Sequence, residues 1–283
     1  MSDKFQTREM LLHQPVLRWA GGKTKLMPEI RRHFPVDPTK RWVEPFIGSG
    51  AVFLNVFSEN ALLADNNPDL IHFFEAVQKD PRELLSQIKV LAEHKYDRQR
   101  YYQLRDEFNQ CNEPFRRGVL FFAINNLCFN GLCRYNLKRE FNGTWGKRPA
   151  LKVDESRIRY LSFRLSGIEL RTAGFEETLS KAGAGDQIYC DPPYDKLNDQ
   201  SFTKYDGNSF SMEEQIKLAD LLAAARDRGA SVAISNSVTE FTHKLYQDRG
   251  FTLHFLNAVR SIGAAANTRK SVKEILAVSN PLK

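Results

Sequence analysis

The sequence predicts an α/β fold, in which a parallel-type sheet with helices on both faces carries a mostly helical insertion. Short apolar runs alternate with helical patterns over most of the chain. The alternation stops between about residues 69 and 165, where helical stretches follow one another. With 283 residues, 42% of them hydrophobic, the chain is long enough to bury a full core. We therefore expect one domain at residues 1–68 and 166–283, and an inserted domain at 69–165.

Six short apolar segments are predicted as buried strands: RWVEPF, ALLAD, IELRT, DQIYCD, SVAISN and EILAVSN. Helical spacing predicts a helix for SMEEQIKLADLLAAARDRG. Within the insertion it predicts three further helices, DPRELLSQIKVLAEH, RQRYYQLRDEFNQ and EPFRRGVLFFAINNL. The polar, glycine-containing segment FNGLCRYNLKREFNGTWGKR follows them, and we expect a loop and hairpin there.

The positive charge of the chain is concentrated in the insertion. The net charge is +7, but between Lys95 and Leu165 there are 15 Lys and Arg against 7 Asp and Glu, whereas the rest of the chain holds 26 and 27. Basic side chains neutralise phosphates, and aromatic ones, which the same segment contains, can stack on bases. A nucleic acid partner and a merely solvated charged face explain this charge equally well.

Several classes of protein are disfavoured by what the sequence lacks. The amino-terminal segment has no apolar core of signal-peptide type, and no apolar run approaches the roughly 20 residues that span a bilayer. The four cysteines include no CxxC pair and no histidine at metal-ligand spacing, so neither a zinc site nor a disulfide framework is indicated. We expect a cytoplasmic protein with reduced thiols, no metal and no membrane partner.

Two strand ends carry features of a nucleotide-like site. In VEPFIGSGAVFLN, Gly48 and Gly50 lie where a strand turns into a helix, a place where backbone approaches such a ligand closely. A dinucleotide fingerprint would need a glycine at Phe53, so a bound pyrophosphate is disfavoured. Asp65, at the end of ALLAD, can accept hydrogen bonds from both hydroxyls of a ribose, or it can cap the next helix. A ribose site without a diphosphate indicates another kind of adenosine ligand.

The segment DPPY, residues 191–194, suits chemistry at the amine of adenine. That amine is a poor nucleophile because its lone pair is delocalised into the ring. Asp191 can accept one of its N–H groups, and the carbonyl of Pro192, fixed by Pro193, can accept the other. Tyr194 offers a ring on which a base swung out of a duplex can stack. A proline-rich turn alone would explain the prolines but not the acid and the ring together.

Four motifs in this order resemble one family. RWAGGKTKL, VEPFIGSG, FNGLCRYN and DPPY look like the cofactor, target-recognition and catalytic motifs of the Dam-type adenine-N6 DNA methyltransferases, of the D12 class and alpha group. The resemblance runs from about Arg18 to Val278. It implies a Rossmann-like class I methyltransferase sheet with an inserted target-recognition domain. It further implies S-adenosylmethionine as cofactor and double-stranded DNA as partner, with GATC as target and flipping of its adenine.

The resemblance also implies a set of cofactor-site residues. Trp19 is expected as a wall against the cofactor, Lys23 as a partner of its carboxylate, and Phe175 as a neighbour of its adenine or a core residue. The residues expected at the cofactor are Trp19, Ala20, Gly21, Lys23, Glu44, Pro45, Phe46, Gly48, Ser49, Gly50, Asp65, Asn66, Phe175 and Asp191.

A second set is implied at the DNA. Arg134 and Arg18 are expected to read guanines, Leu132 to touch the methyl group of thymine, and Phe129 to wedge into the space of the flipped adenine. Arg148 stands where the family has a tyrosine, and its guanidinium plane can stack in place of that ring. The residues expected at the DNA are Arg18, Arg116, Asn126, Phe129, Asn130, Gly131, Leu132, Arg134, Asn136, Asn142, Lys147, Arg148, Ser261, Arg269 and Lys270.

Three other functions fit parts of the sequence. A cytosine-N4 DNA methyltransferase uses the same amine chemistry but usually has a serine where Asp191 stands. A zinc deaminase also acts on a flipped base, but its HxE and PCxxC ligands are absent from this sequence. We call residues 44–50 the glycine loop. A sequence-specific DNA-binding protein without catalysis is disfavoured by the intact DPPY segment and the intact glycine loop.

Overall fold

A seven-stranded sheet forms the centre of the protein. The computed structural model describes residues 12–194, 210–259 and 271–281. Within them the strands lie in the order β3-β2-β1-β4-β5-β7-β6. Their bounds are β1 Arg41–Glu44, β2 Ala61–Asp65, β3 Glu169–Thr172, β4 Asp186–Cys190, β5 Ser231–Ser237, β6 Thr252–Val259 and β7 Ser271–Ser279.

The sheet is parallel from β3 to β5, as predicted, but its last two strands differ. β7 runs antiparallel to both β5 and β6. Antiparallel neighbours need no crossover helix, so the alternation of strand and helix that predicted the parallel part ends before them. Ser237, at the end of β5, pairs with Glu274 near the start of β7. The beginning of β7 therefore lies at the same edge of the sheet as the carboxyl ends of the parallel strands.

The sequence did not reveal β6. Among residues 252–257, the part of β6 whose burial is described, only Leu256 is buried, while Thr252, Phe255 and Asn257 are exposed. β6 is an edge strand that pairs with β7 alone, so it has no need of the continuous apolar run that marks a strand buried on both faces. All six predicted strands are present, but β3 was predicted as buried and instead lies at the other edge of the sheet, with none of its residues buried.

Nine helices lie in the described chain, and five of them, α2 to α6, fall between β2 and β3. Their bounds are α1 Met27–His33, α2 Pro68–Lys79, α3 Pro81–Ala92, α4 Arg98–Gln110, α5 Pro114–Leu127, α6 Glu155–Leu165, α7 Phe175–Ser180, α8 Met212–Asp227 and α9 Glu240–Gln247. The four helices predicted by spacing correspond to α3, α4, α5 and α8.

Polar side chains cap the inserted helices where they begin. The side chain of Asn67 accepts backbone hydrogen bonds from the first turn of α2. Asp80, Asp97 and Glu113 do the same for α3, α4 and α5. Capping satisfies N–H groups that have no partner within a helix, so these residues fix where each helix starts.

Two hydrophobic cores cover the two faces of the sheet. Trp42 and Leu63 point into the core that also contains the inserted helices, whereas their neighbours Val43 and Leu62 point into the core beneath α7, α8 and α9. This alternation follows from the two-residue period of a strand. The domain boundaries at residues 69 and 165 stay a prediction, and the first core joins the inserted helices to the sheet.

The polar segment after α5 folds back on itself. Antiparallel bridges join Cys128 to Trp145 and Tyr135 to Phe141, as expected for a hairpin. We call residues 128–148 the recognition hairpin. The four cysteines are free thiols. Among the described residues, no helix combines the length and apolar character of a membrane span, and no three His, Cys, Asp or Glu side chains are grouped as metal ligands would be.

Candidate active site

Acidic residues converge where the parallel strands end. Glu44 is the last residue of β1 and Asp65 the last of β2, while Asp191 follows β4 directly. β2, β1 and β4 are neighbours in the sheet, so their carboxyl ends meet at one edge. Ligands of doubly wound sheets bind in the crevice at that edge.

Asp65 is tied to the glycine loop and does not cap a helix. Its carboxylate accepts hydrogen bonds from the backbone N–H of Gly48 at 3.2 Å and of Asn67 at 3.0 Å. Asn67 itself caps α2, so the capping alternative for Asp65 is wrong. Burial raises the pKa of Asp65 to about 6, although these backbone donors act against the rise.

The ring of Trp19 lies against the glycine loop. Gly48 has a φ of +49°, and a Cβ at this position would lie 2.9 Å from Nε1 of Trp19. Only glycine meets both demands without strain. The backbone of the loop therefore passes close against the ring of Trp19.

Three aromatic rings form a cluster beside the loop. Phe46 stacks on Phe175 with ring centroids 5.8 Å apart. Phe210 packs edge-on against both, at 5.8 and 5.6 Å. Phe175 is buried, and Phe46 is half-buried. Phe210 was not predicted from sequence, because a single apolar residue before a helix is common.

The remaining residues expected at the cofactor differ in burial. Pro45, Ser49 and Gly50 are buried, whereas Ala20, Gly21 and Asn66 are exposed.

Glu44 is buried beneath the loop. Nε1 of Trp42 donates a hydrogen bond to its carboxyl group at 2.6 Å. Burial raises the pKa of Glu44 to about 8, and the nearby charge of Asp191 adds to the rise. Glu44 is thus largely neutral at neutral pH in this structure.

A buried lysine holds Asp191. The ammonium of Lys23 lies 2.9 Å from Oδ1 of Asp191 and donates to the carbonyl of Gly21 at 2.9 Å. Only 2% of the Lys23 side chain is exposed. The resemblance led us to expect Lys23 at the cofactor carboxylate, but here its direct partner is the acid of DPPY. A charge buried this deeply requires such a partner.

The rest of the DPPY segment packs around the same ammonium. Nζ of Lys23 lies 4.7 Å from the ring centroid of Tyr194. Pro192 is buried and Pro193 is exposed. The hydroxyl of Tyr194 donates to Glu274 at 3.4 Å.

Arg18 is bonded to α5 through its backbone and to the recognition hairpin through its side chain. The side chain of Asn125 accepts from the N–H of Arg18 and donates to its carbonyl, both at 2.8 Å. A Cβ on Gly131 would lie 2.5 Å from the same carbonyl oxygen. The guanidinium of Arg18 donates to the carbonyl of Cys128 at 3.3 Å. Burial, and to a lesser extent Arg148, lower the pKa of Arg18.

The recognition hairpin presents most of its expected contact residues to solvent. Phe129 is 51% exposed. Within the described chain, no partner holds the guanidinium of Arg134, which is exposed. Asn142 and Lys147 are exposed as well, while Asn130, Leu132 and Arg148 are half-buried.

Three other residues expected at the DNA have contacts within the protein. The side chain of Asn136 accepts from the N–H groups of Lys138 and Glu140 and so shapes the hairpin turn. Arg116 forms an ion pair with Glu107 at 2.6 Å. The amide of Asn126 donates to the carbonyls of Phe122 and Val16. Ser261, Arg269 and Lys270 lie outside the described residues.

Residues 19–262 match the family described as D12 class N6 adenine-specific DNA methyltransferase. The chain belongs to this family. It is 37% identical over 279 residues to a DNA adenine methylase of Haemophilus influenzae, covering 97% of this chain and 96% of that one. It is 38% identical over 268 residues to one of Vibrio cholerae, covering 94% and 95%. A solved SAM-dependent O-methyltransferase of Thermotoga maritima overlays with a TM-score of 0.40 at 11% identity, over 92% of this chain and 66% of that one.

The protein is therefore a DNA adenine methyltransferase, and the cytosine-N4 alternative does not hold. The structure adds to the candidate site three residues that we did not predict from sequence. Asn125 fixes Arg18, Phe210 completes the aromatic cluster, and Glu274 contacts Lys23 and Tyr194. Only Glu274 carries a signal in the sequence, as an acid at the start of the apolar segment EILAVSN.

Proposed function

We propose that this enzyme transfers a methyl group from S-adenosylmethionine to N6 of an adenine flipped out of double-stranded GATC. The observation that carries the proposal is the Lys23–Asp191 ion pair, at the same sheet edge as the ribose-type acid Asp65. A flipped base and a bound adenosine can meet at that edge. The bacterial origin of the relatives supports the cytoplasm as the place of action.

The chain offers a site that fits the cofactor. Asp65 is half-buried and already ordered by two backbone donors, as an acceptor for ribose hydroxyls should be. Gly48 leaves a cradle under Trp19 that a side chain would fill. Phe46 and Phe175 supply flat apolar surface for an adenine ring. When bound, S-adenosylmethionine supplies an electrophilic methyl group.

The DPPY segment prepares the target amine for attack. Asp191 accepts one N–H of the amine, and the carbonyl of Pro192 accepts the other, which draws the nitrogen lone pair out of conjugation. Lys23 holds the carboxylate in place, and the ring of Tyr194 stacks on the flipped base. These groups act by orientation and electrostatics, without a covalent intermediate on the protein.

Sequence reading falls to the recognition hairpin and Arg18. The guanidinium of Arg134, which has no partner among the described residues, can bond two acceptors of one guanine in the major groove. We assign Leu132 to contact with the methyl group of thymine, and Phe129 to wedging into the base stack. Asn125 and Gly131 join Arg18 to the same surface, so it reads together with the hairpin.

The test measures methyl transfer to GATC and its single-base variants at fixed salt. Wild type should form N6-methyladenine at GATC, with kcat/KM reduced on every variant. Arg134→Ala should lose about 1–3 kcal/mol of discrimination at one base pair only. Lys138→Ala, a control on the exposed hairpin turn, should weaken all substrates alike. DNA binding without methyl transfer by wild type would support the non-catalytic alternative, and equal rates on all sequences would refute GATC.

A further inference from the structure

Glu274 reaches the catalytic edge because β7 runs against the other strands. Its partner in the ladder is Ser237, the last residue of β5. A parallel β7 would place its first residues at the opposite edge of the sheet. The reversal thus adds one acid from the carboxy-terminal part of the chain to the group around DPPY.

Glu274 contacts both groups that surround Asp191. Its Oε2 lies 3.6 Å from Nζ of Lys23 and accepts from the hydroxyl of Tyr194 at 3.4 Å. Its side chain is 16% exposed, against 23% for Asp191. One buried ammonium therefore serves two carboxylates. Burial, then the charge of Asp191, raise the pKa of Glu274, and Lys23 opposes that rise.

We propose that Glu274 is a positioning residue, which holds the Tyr194 ring and draws part of the Lys23 ammonium away from Asp191. This inference rests on the proposed function of DPPY. A ring clamped through its hydroxyl and one face keeps a fixed plane, on which a flipped base can stack. An ammonium shared with a second acid competes less with the adenine amine for the carboxylate of Asp191.

Glu274→Gln removes the charge and keeps the size of the side chain. Under single-turnover conditions, the rate of methyl transfer should fall at least about tenfold. The Tyr194 ring is then no longer held by a charged acceptor, and Lys23 pairs more closely with the carboxylate of Asp191. The dissociation constant for S-adenosylmethionine should stay within about threefold of wild type. Among the described residues Glu274 forms no hydrogen bond or ion pair with the glycine loop or Asp65, and the ammonium of Lys23, which it does contact, is held at Asp191. A duplex that carries 2-aminopurine at the target adenine should differ in fluorescence when it is bound to Glu274→Gln and when it is bound to wild type.

Two further variants make the test decisive. Glu213→Gln makes the same chemical change on the exposed first turn of α8 and should leave all three readouts unchanged. Tyr194→Phe removes only the hydroxyl that Glu274 anchors, and it should change the fluorescence signal in the same direction as Glu274→Gln.

A rate within about threefold of wild type, or a loss confined to cofactor affinity, would overturn the role of Glu274. An unchanged signal in both Glu274→Gln and Tyr194→Phe would overturn the clamping of the ring. Failure of the wild type itself to methylate DNA would instead refute the proposed function, so the two failures are distinguishable.

Discussion

At the scale of single residues, burial decides how the acids of the site respond to protons. Glu44 and Asp65 end neighbouring strands, yet burial raises the pKa of Glu44 to about 8 and that of Asp65 to about 6. Asp65 has two backbone donors that favour its charged form, whereas Glu44 has the indole N–H of Trp42. Near neutral pH, one acid is therefore mostly neutral and the other mostly charged.

Glu44→Gln should change how stability depends on pH. The carboxyl group of wild type has a pKa near 4.5 when unfolded and about 8 when folded, so the folded state binds more protons between these values. Its stability contribution is fully present below the lower value and is lost as pH rises through about 8. Glutamine does not titrate.

In urea unfolding, the free energy of unfolding of Glu44→Gln should therefore rise relative to that of wild type as the pH is raised from about 5 to about 9, by up to a few kcal/mol. Glu213→Gln, an exposed control, should show no such trend. A constant difference between Glu44→Gln and wild type across this range would contradict the burial effect.

Asp65→Asn should weaken binding of S-adenosylmethionine at about pH 7.5 by roughly 1.5–3 kcal/mol, the range for hydrogen bonds to a charged group. In wild type, affinity should decline as pH falls through about 6, because protonation removes an acceptor from the ribose hydroxyls. The variant should lack this decline. Calorimetry at several pH values measures both effects, and equal affinity of the two proteins would leave Asp65 with a purely structural role.

At the scale of elements, the recognition hairpin is docked on the helix that follows the ribose-type acid. The hydroxyl of Tyr135 donates to Asp69 at 2.8 Å, and Arg117 of α5 pairs with the same carboxylate. Asp69 lies in the first turn of α2, four residues after Asp65. Tyr135, the neighbour of Arg134 in the chain, is thus anchored to the first turn of α2, close to the strand end that carries Asp65.

Tyr135→Phe should loosen the recognition hairpin. It leaves the packing of the ring against Phe141 and the pairing of Asp69 with Arg117, but it removes a hydrogen bond to a charged group, which costs about 1.5–3 kcal/mol. Hydrogen exchange should accelerate at the N–H of Asn142, which bonds the carbonyl of Arg134. Tyr246→Phe is the matched control, because it also loses a buried hydroxyl bond, from the amide of Asn236, away from the hairpin. Equal exchange rates at the N–H of Asn142 in both variants would show that the hydroxyl of Tyr135 does not anchor the hairpin.

Gly131→Ala tests the contact between the hairpin and Arg18. Gly131 has a φ of +67°, and an added Cβ would meet the carbonyl of Arg18. Gly167 has a φ of +76° with nothing within 4 Å, so Gly167→Ala introduces backbone strain without a clash. Gly131→Ala should lower the free energy of unfolding by at least about 1 kcal/mol more than the control. Equal losses in the two variants would show that the contact is loose.

At the scale of the whole molecule, local patterns predicted the parts that depend on local chemistry. Apolar runs revealed five well-buried strands and also β3, whose residues are not buried. DPPY and the glycine loop revealed the edge of the sheet where Glu44, Asp65 and Asp191 converge. The edge strand β6 and the direction of β7 depend on pairing between distant segments, which leaves no periodic trace. For the same reason Glu274 and Asn125 were missed, since their partners Lys23 and Arg18 lie more than about 100 residues away in the chain.

Replacement of Asp191 tests the proposed mechanism most directly. Asp191→Ala should bind S-adenosylmethionine and a GATC duplex with affinities within about tenfold of wild type, because the carboxylate acts mainly in the transition state. The measurement is single-turnover transfer of a labelled methyl group at saturating concentrations of both. We predict that the rate falls by orders of magnitude. A rate close to wild type would contradict the assignment of Asp191 and, with it, the proposed mechanism.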